Sequence, residues 1–246
     1  MSAAGKGRVD GQPAYVLHTH PFKETSLIVE AFSRDYGRLS LVARGARRPR
    51  SAMRGLLMAF QPLELDWFGQ GEMRTLAKAE WVGGQPLLQA RALLLGYYMN
   101  ELLLKLLARE DAHPALFQAY ADAVHALAAG ESNQISLRRF EKTLLKELGY
   151  GLTLDREADG GPPVAPQKRY AYILERGPVC LEMRLENETS ATESFSGRAL
   201  LAIAQDDYSE AETLAQCKQL MRMLIHHYLG GQRLSSRRVF MELQEL

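Results

Sequence analysis

Cysteine and long apolar runs are scarce in this chain of 246 residues. The two cysteines, Cys180 and Cys217, lie far apart and form no CxxC motif, which argues against a disulfide framework and a structural zinc site. The most apolar stretch, residues 92–107, is interrupted by polar residues and is too short to span a bilayer. The first residues show no apolar segment typical of a signal peptide. We therefore expect a cytoplasmic protein without a membrane partner.

Motifs of catalysis are also missing. The sequence has no P-loop, no GxGxxG after a strand, no HExxH and no GxSxG. His18 and His20 would share one face of the first strand, but no further ligand lies at metal-binding spacing. We therefore predict no catalytic residues, no metal site and no cofactor, and we expect that the protein is not an enzyme.

The net charge is only +1, but the positive charge is unevenly distributed. Residues 34–54 contain seven arginines and a single acid, Asp35. Such a segment cannot be core, because arginine is rarely buried without an acidic partner. It overlaps residues 38–43, which alternate as a half-buried strand does. A strand that leads into a basic loop suits phosphate binding, and a solvated loop without a partner is the simpler alternative.

Residues 14–82 show the pattern of a small β-barrel. Five short segments have strand character, glycine-containing turns separate them, and the second and third are expected to form a hairpin. This favours an oligonucleotide-binding (OB) barrel, although an SH3-like barrel would give a similar pattern. Trp67, Phe68 and Trp81 lie on these strands and could stack with nucleobases, but core positions are favoured for most of them. Residues 1–12 are small and polar and are expected to be a disordered leader.

Beyond residue 85 the pattern becomes helical. Residues 91–107 are apolar on all sides, which predicts a central, buried helix. The segment after residue 150 is rich in glycine, proline and charge, with a short hairpin expected around Gly177. We predict a multi-domain α+β protein with a five-stranded OB barrel at 13–84, an all-helical domain in two parts at 85–150 and 195–246, and a small irregular insertion at 151–194.

Two further groups of cations are candidate binding residues. Arg237 and Arg238 follow a double glycine near the C-terminus, in a region poor in acids. Arg138 and Arg139 precede Phe140 on a predicted helix, and basic residues beside an apolar groove suit an acidic peptide with a hydrophobic end. The simpler interpretation is a solvated helix face for the C-terminal pair, and for Arg138 and Arg139 it is that their aliphatic stems lie over the core, which spacing alone favours.

Eight short motifs occur in order along the chain. In the barrel region the motifs are HPFKETSLIVE from His20, YGRLSLVARGAR from Tyr36, RGLL from Arg54 and FQPL from Phe60. They continue with YMNELL from Tyr98, LRRFE from Leu137, LGYGL from Leu148 and YLGGQRLSSRR from Tyr228. The set spans nearly the whole chain, and in this order it resembles the RecO family of bacterial recombination and repair mediators.

The resemblance implies an N-terminal OB domain, a helical domain and a small insertion that often binds zinc. Zinc-binding members carry four cysteines there, whereas this chain has LDREADGG from Leu154 and only Cys180 beyond it, so zinc is not expected. The resemblance also implies binding and annealing of single- and double-stranded DNA. It further implies binding of the acidic C-terminal tail of single-stranded-DNA-binding protein (SSB), and joint action with RecR in loading RecA, at the nucleoid.

These implications assign residues to two predicted sites. The DNA-binding residues would be Arg34, Arg38, Arg44, Arg47, Arg48, Arg50, Arg54, Arg237 and Arg238. The SSB-tail pocket, by the family pattern, would comprise Phe117, Leu137, Arg138, Arg139 and Phe140. The alternative is a protein-assembly scaffold whose basic loop binds acidic protein partners, with incidental affinity for DNA.

Overall fold

The chain folds into two compact units, as seen in a computed structural model that describes residues 7–130, 133–181, 193–236 and 238–239. The first unit comprises residues 1–133 together with 234–246, and the second comprises 134–233. This division differs from the expected boundary at 84/85, because the first long helices pack on the barrel. Among the described residues, none of the helices has the length and apolar character needed to traverse a bilayer.

Five strands close into a barrel in the first unit, in the order β1-β2-β3-β5-β4, which confirms the predicted barrel. The strands are β1 Arg8–Phe22, β2 Ser26–Ser33, β3 Gly37–Ala43, β4 Leu63–Phe68 and β5 Met73–Trp81. Neighbours pair antiparallel except β3 and β5, which run parallel. Because β1 begins at Arg8, residues 8–12 belong to the barrel and not to the expected leader.

The barrel core follows from the alternation of side chains along each strand. Its inward-facing residues include Ala14, Val16, Val29, Ala31, Leu39, Leu41, Leu63, Leu65, Trp67, Leu76 and Ala79. Trp67 is 1% exposed, as expected for core, whereas Phe68 and Trp81 are 46% and 55% exposed. Two of the three aromatic residues therefore lie outside the core, contrary to the expectation. Phe68 follows Trp67 on its strand and so points to the opposite, outer side, and Trp81 is the last residue of its strand.

Two helices cover the outer face of the barrel at β1 and β2. The helices of this unit are α1 Met53–Leu56, α2 Ala90–Leu106 and α3 Pro114–Ala129. Tyr15 and Phe32, which point away from the barrel interior, pack against Phe117 with ring centroids 5.6 and 5.5 Å apart. The Asn100 amide donates to the Leu17 carbonyl at 2.9 Å. Helix α2 is therefore a covering helix with an exposed Tyr97, and the expectation of a central, buried helix was wrong.

The second unit combines three helices with a small antiparallel sheet. Its elements are α4 Asn133–Glu147, a 3-10 turn Ala158–Gly160, β6 Arg169–Ile173, β7 Gly177–Cys180, β8 Ser194–Ser196, α5 Gly197–Ala204 and α6 Ala211–Tyr228. The expected hairpin is present, but its turn precedes Gly177, and β8 pairs with β6 as a third strand. Sequence reasoning missed β8, because its partner in the sheet lies more than 20 residues away.

Candidate nucleic-acid interface

Residues 44–54, here called the basic loop, lie at one end of the barrel. The loop leaves β3 where Ala43 pairs with Leu27, beside the turn between β1 and β2. The Arg47 backbone amide donates to the Thr25 carbonyl at 2.8 Å, and its guanidinium Nη1 lies 3.4 Å from the Lys23 and Glu24 carbonyl oxygens. These bonds fix the middle of the loop to the neighbouring turn.

Ala46 anchors the basic loop in the barrel, and partly buried Met53 also packs against the barrel core. Ala46 is 0% exposed and belongs to the barrel core, although the composition of the loop suggested that none of it could be buried. Successive turns flank it: the Arg48 amide donates to the Gly45 carbonyl at 3.0 Å, and the Ser51 amide donates to the Arg48 carbonyl at 3.0 Å. Because the backbone is held inward at this point, the arginine side chains on both sides project outward.

The exposed cations of the loop form one group. Five arginines are exposed, and in the part of the chain that the structure describes none of them forms an ion pair: Arg44, Arg47, Arg48, Arg50 and Arg54. The adjoining turn adds Lys23, which is also exposed. Sequence reasoning missed Lys23, because only the strand register brings its turn beside the loop. The group can attract phosphates, because none of these cations forms an ion pair with a carboxylate among the described residues.

Two predicted DNA-binding arginines lie elsewhere. Arg34 is in the turn at the opposite end of β3, roughly 20 Å from the loop for a strand of this length. Its guanidinium pairs with both oxygens of Asp35 at 3.0 Å. Arg38 is half-buried and donates to the Leu104 carbonyl at 2.6 Å. Burial and the nearby Arg109 lower the pKa of Arg38. We therefore exclude Arg34 and Arg38 from the candidate interface.

Other cations of the barrel unit face carboxylates. Pairs closer than 3.1 Å join Arg8 to Asp10, Arg74 to Glu110, Lys78 to Glu80 and Arg109 to Glu30. The last pair is tied to the barrel wall by the Ser40 hydroxyl, which donates to Glu30 at 2.5 Å. No local signal identifies this pair, because its partners lie 79 residues apart. The pairing of these cations sets the basic loop apart from the rest of the barrel.

The C-terminal pair of arginines is described only in part. Arg237 lies outside the described residues, and Arg238 is exposed. The helical turn that leads to Arg238 is capped by Glu101, whose carboxylate accepts from the Ser235 and Ser236 amides at 2.8 and 2.9 Å. Burial works to raise the pKa of Glu101, but the bonds from Ser236, Ser235 and Lys105 hold it below its ordinary value.

The predicted SSB-tail residues are mostly buried. They are Phe117, Leu137, Arg138, Arg139 and Phe140, and all except Arg139 are buried. Arg138 is only 8% exposed and pairs with Glu141 at 2.7 Å on the same helix. Arg139 projects outward from α4 and is the one member of the set that a peptide could reach directly.

The described residues do not fit a zinc site. Cys180 is buried at 1% exposure, and over 7–130, 133–181, 193–236 and 238–239 no three His, Cys, Asp or Glu side chains converge as metal ligands. The rings of His18 and His20 lie 4.3 Å apart without a third ligand in these ranges. Burial lowers the pKa of His18, which disfavours its cationic form.

Comparisons with known proteins agree with this architecture. The family profile described as "Recombination protein O N terminal" matches residues 11–85, and "Recombination protein O C terminal" matches residues 88–238. A protein named DNA repair protein RecO from Aromatoleum aromaticum is 61% identical over 241 residues, covering 98% of this chain and 99% of the relative. Proteins of the same name from Azoarcus sp. and Dechloromonas aromatica are 58% and 55% identical, covering 99% and 98% of this chain and 100% and 99% of the relatives. The chain therefore belongs to the RecO family of DNA repair proteins.

Proposed function

We propose that the protein acts in recombinational DNA repair as a DNA-binding mediator, with the basic loop as its main contact to single- and double-stranded DNA. One observation carries the proposal: five exposed arginines without acidic partners lie on a single anchored loop, while neighbouring cations of the barrel are paired. This role requires access to the chromosome in the cytoplasm. It requires no catalytic residue, metal or cofactor.

The chemistry of the loop favours binding without base recognition. Guanidinium groups bind the phosphates that all sequences share, and residues 44–54 contain no aromatic side chain for stacking. When two strands lie on one cationic surface, their mutual repulsion falls. Complementary strands then pair faster, which is the annealing activity that we assign to this surface.

Anchoring of the loop contributes to affinity. Ala46 in the core and the bond from the Arg47 amide to Thr25 fix the backbone before DNA binds. A fixed backbone loses less conformational entropy on binding than a free loop would. The loop therefore presents its arginines at a constant spacing to any nucleic-acid backbone.

An annealing assay tests this proposal. Complementary oligonucleotides, naked or coated with SSB, are mixed with the protein, and the rate of duplex formation is followed by fluorescence. We expect the wild type to accelerate pairing, the double variant Arg47→Glu, Arg48→Glu to lose this effect, and the control Arg34→Glu to retain it. Equal annealing by all three proteins would refute the assignment, and tight capture of acidic proteins without DNA affinity would favour the scaffold alternative.

We also propose that the protein binds the SSB tail, with Arg139 as the accessible cation, and acts with RecR in RecA loading. The α4 surface supports the first part, because Arg139 and Lys146 are exposed two helical turns apart on one face. Arg139→Glu should weaken binding of an SSB-tail peptide and spare DNA, with Arg156→Glu as an exposed control in the same unit. Arg138 is unsuitable for this test, since its reversal would place a second buried carboxylate beside Glu141.

A further inference from the structure

The end of the β4–β5 pair, where Trp81 lies opposite Leu63 and Glu80 lies opposite Glu64, carries a second exposed feature of the barrel, unlike the basic loop. We call it the acidic–aromatic face and define it by Glu64, Asp66, Glu80 and Trp81. Trp81 and the adjoining Val82 are 55% and 60% exposed. A shallow pocket of about 460 Å³ lies here, lined by Leu56, Glu64, Ala79, Glu80, Trp81 and Val82.

Exposure of this apolar group points to a binding partner. A tryptophan that leaves more than half of its surface in water, beside an equally exposed valine, forms an apolar patch rimmed by polar groups. Tryptophan is enriched among the residues that dominate protein interfaces. The barrel itself does not need Trp81, because Trp67 on the adjacent strand fills the core.

The charges on this face define the chemistry of the partner. Glu64 lies directly opposite Glu80 in the strand register, and like charges in this arrangement destabilise a sheet. Lys78 pairs with Glu80 at 2.6 Å and faces Asp66 across the strands. Glu64 forms no ion pair with any residue that the structure describes. Lys78 is therefore one cation against the carboxylates of Glu64, Asp66 and Glu80, so the face keeps a net negative charge.

Nucleic acid is a poor match for the same face. The carboxylates of Glu64 and Glu80 line the pocket and would repel the phosphates that flank any stacked base. A protein segment can instead supply an apolar side chain and a cation together. Cations also bind favourably over the face of a tryptophan ring.

We infer that the acidic–aromatic face is a docking surface for a protein segment that carries arginine or lysine next to an apolar side chain. The apolar side chain enters the pocket against Trp81, Leu56 and Val82. The cation lies between Glu64 and Glu80 and compensates their repulsion. This surface is separate in chemistry from the basic loop, although Leu56 and Arg54 belong to the same short helix α1.

A peptide-binding measurement tests the inference on the full-length protein. The probe is a labelled, amidated peptide of alternating arginine and leucine, followed by fluorescence anisotropy. Two control peptides replace arginine by glutamate or leucine by serine, and a single-stranded oligonucleotide is the nucleic-acid control. We expect the arginine–leucine peptide to bind more tightly than either control peptide, because it satisfies both the charge and the apolar pocket.

Variants locate the binding. Trp81→Ala and Glu64→Lys should each lower the affinity for the arginine–leucine peptide about tenfold or more, as loss of a central interface residue does. Neither variant should lower the affinity for the oligonucleotide. Glu72→Lys makes the same charge change at an exposed residue in the turn between β4 and β5 and should leave peptide binding unchanged. Thermal unfolding, together with the fluorescence of buried Trp67, verifies that each variant is folded.

Three results would overturn the inference. The first is equal peptide affinity of wild type, Trp81→Ala and Glu64→Lys. The second is equal binding of the arginine and glutamate peptides, which would remove the role of charge. The third is a loss of oligonucleotide affinity in Trp81→Ala that exceeds the loss of peptide affinity, which would assign Trp81 to nucleic acid. The first two results do not depend on whether the basic loop binds DNA.

Discussion

The basic loop and the acidic–aromatic face lie on one barrel, yet they present opposite chemistry. The loop exposes arginines without carboxylate partners, whereas the face exposes Trp81 between carboxylates that lack sufficient cations. The first suits phosphates of any nucleic acid, and the second suits a cationic protein segment. Under the two proposals, DNA and a protein partner would bind different surfaces of one barrel.

The comparison also shows that an arginine is available to bind phosphate only if no carboxylate already pairs with it, whatever the composition of the surrounding stretch. Arg34 and Arg47 belong to the same arginine-rich stretch, but Arg34 is bound to both oxygens of Asp35. Arg47 donates only to backbone carbonyls and keeps its charge uncompensated. A count of arginines therefore includes some whose charge is already compensated by a neighbouring carboxylate.

The largest expected effect separates these two kinds of arginine. At low salt, the double variant Arg47→Glu, Arg48→Glu should bind single- and double-stranded DNA about 100-fold more weakly than the wild type, because attraction at two phosphate contacts becomes repulsion. Anisotropy titrations with oligonucleotides of unrelated sequence measure this. Arg34→Glu is the matched control and should change affinity about twofold at most, since its charge is already paired. If Arg34→Glu lost as much DNA affinity as the double variant, paired and unpaired arginines could not be distinguished by their contribution to DNA binding.

A smaller effect concerns the anchoring of the basic loop. Ala46→Leu should lower the free energy of unfolding by about 2 kcal/mol, because the added methyl groups overfill the closed end of the barrel. Ala52→Leu, at the exposed alanine of the same loop, should change it by less than about 0.5 kcal/mol. Urea denaturation measures both. Equal stability of the two variants would mean that the loop is not anchored through Ala46.

The cap of the C-terminal turn predicts a dependence on pH. The folded pKa of Glu101 is depressed, so its contribution to stability is present above the unfolded pKa and is lost as pH falls through the folded pKa. Glu101→Gln should therefore cost about 1 kcal/mol at neutral pH, and the difference should disappear as pH falls through the depressed pKa of folded Glu101. Denaturation across this range measures the effect. A difference that stayed constant into acid would exclude the carboxylate as its cause.

The smallest expected effect is a gain in stability on the acidic–aromatic face. Glu64→Lys replaces a like-charge pair opposite Glu80 by an attractive pair and should raise the free energy of unfolding by about 0.5 kcal/mol at low salt. The gain should shrink at high salt, because exposed charges are screened. Glu72→Lys should show no gain. A destabilised Glu64→Lys would contradict the proposed shortage of cations on this face.

Local sequence patterns were sufficient to predict the barrel. Alternation in residues 38–43 and 63–68, with glycine in the intervening turns, specifies strands whose inward positions fill a common core. Alternation could not specify the environment of α2. Its apolar surface is divided between the barrel and partly exposed positions, and only the tertiary packing shows that Tyr97 faces outward.

The candidate interface was predictable in part. The adjacent acid Asp35 was a visible signal that Arg34 could be paired, and sequence reasoning did not use it. The partner of Arg38, the Leu104 carbonyl, lies 66 residues away and has no local signal. Lys23 joins the loop only through the register of β2 and β3. Contacts between distant segments therefore set the limit of the prediction.

The salt dependence of DNA affinity tests the central claim most directly. If the exposed cations of the basic loop bind phosphates without reading bases, oligonucleotides of unrelated sequence should give one common slope of log affinity against log salt, about −3 to −5 for four to six contacts. The double variant Arg47→Glu, Arg48→Glu should flatten that slope by about two contacts. An affinity that barely changes between low and moderate salt, or a slope that the double variant leaves unaltered, would contradict the account.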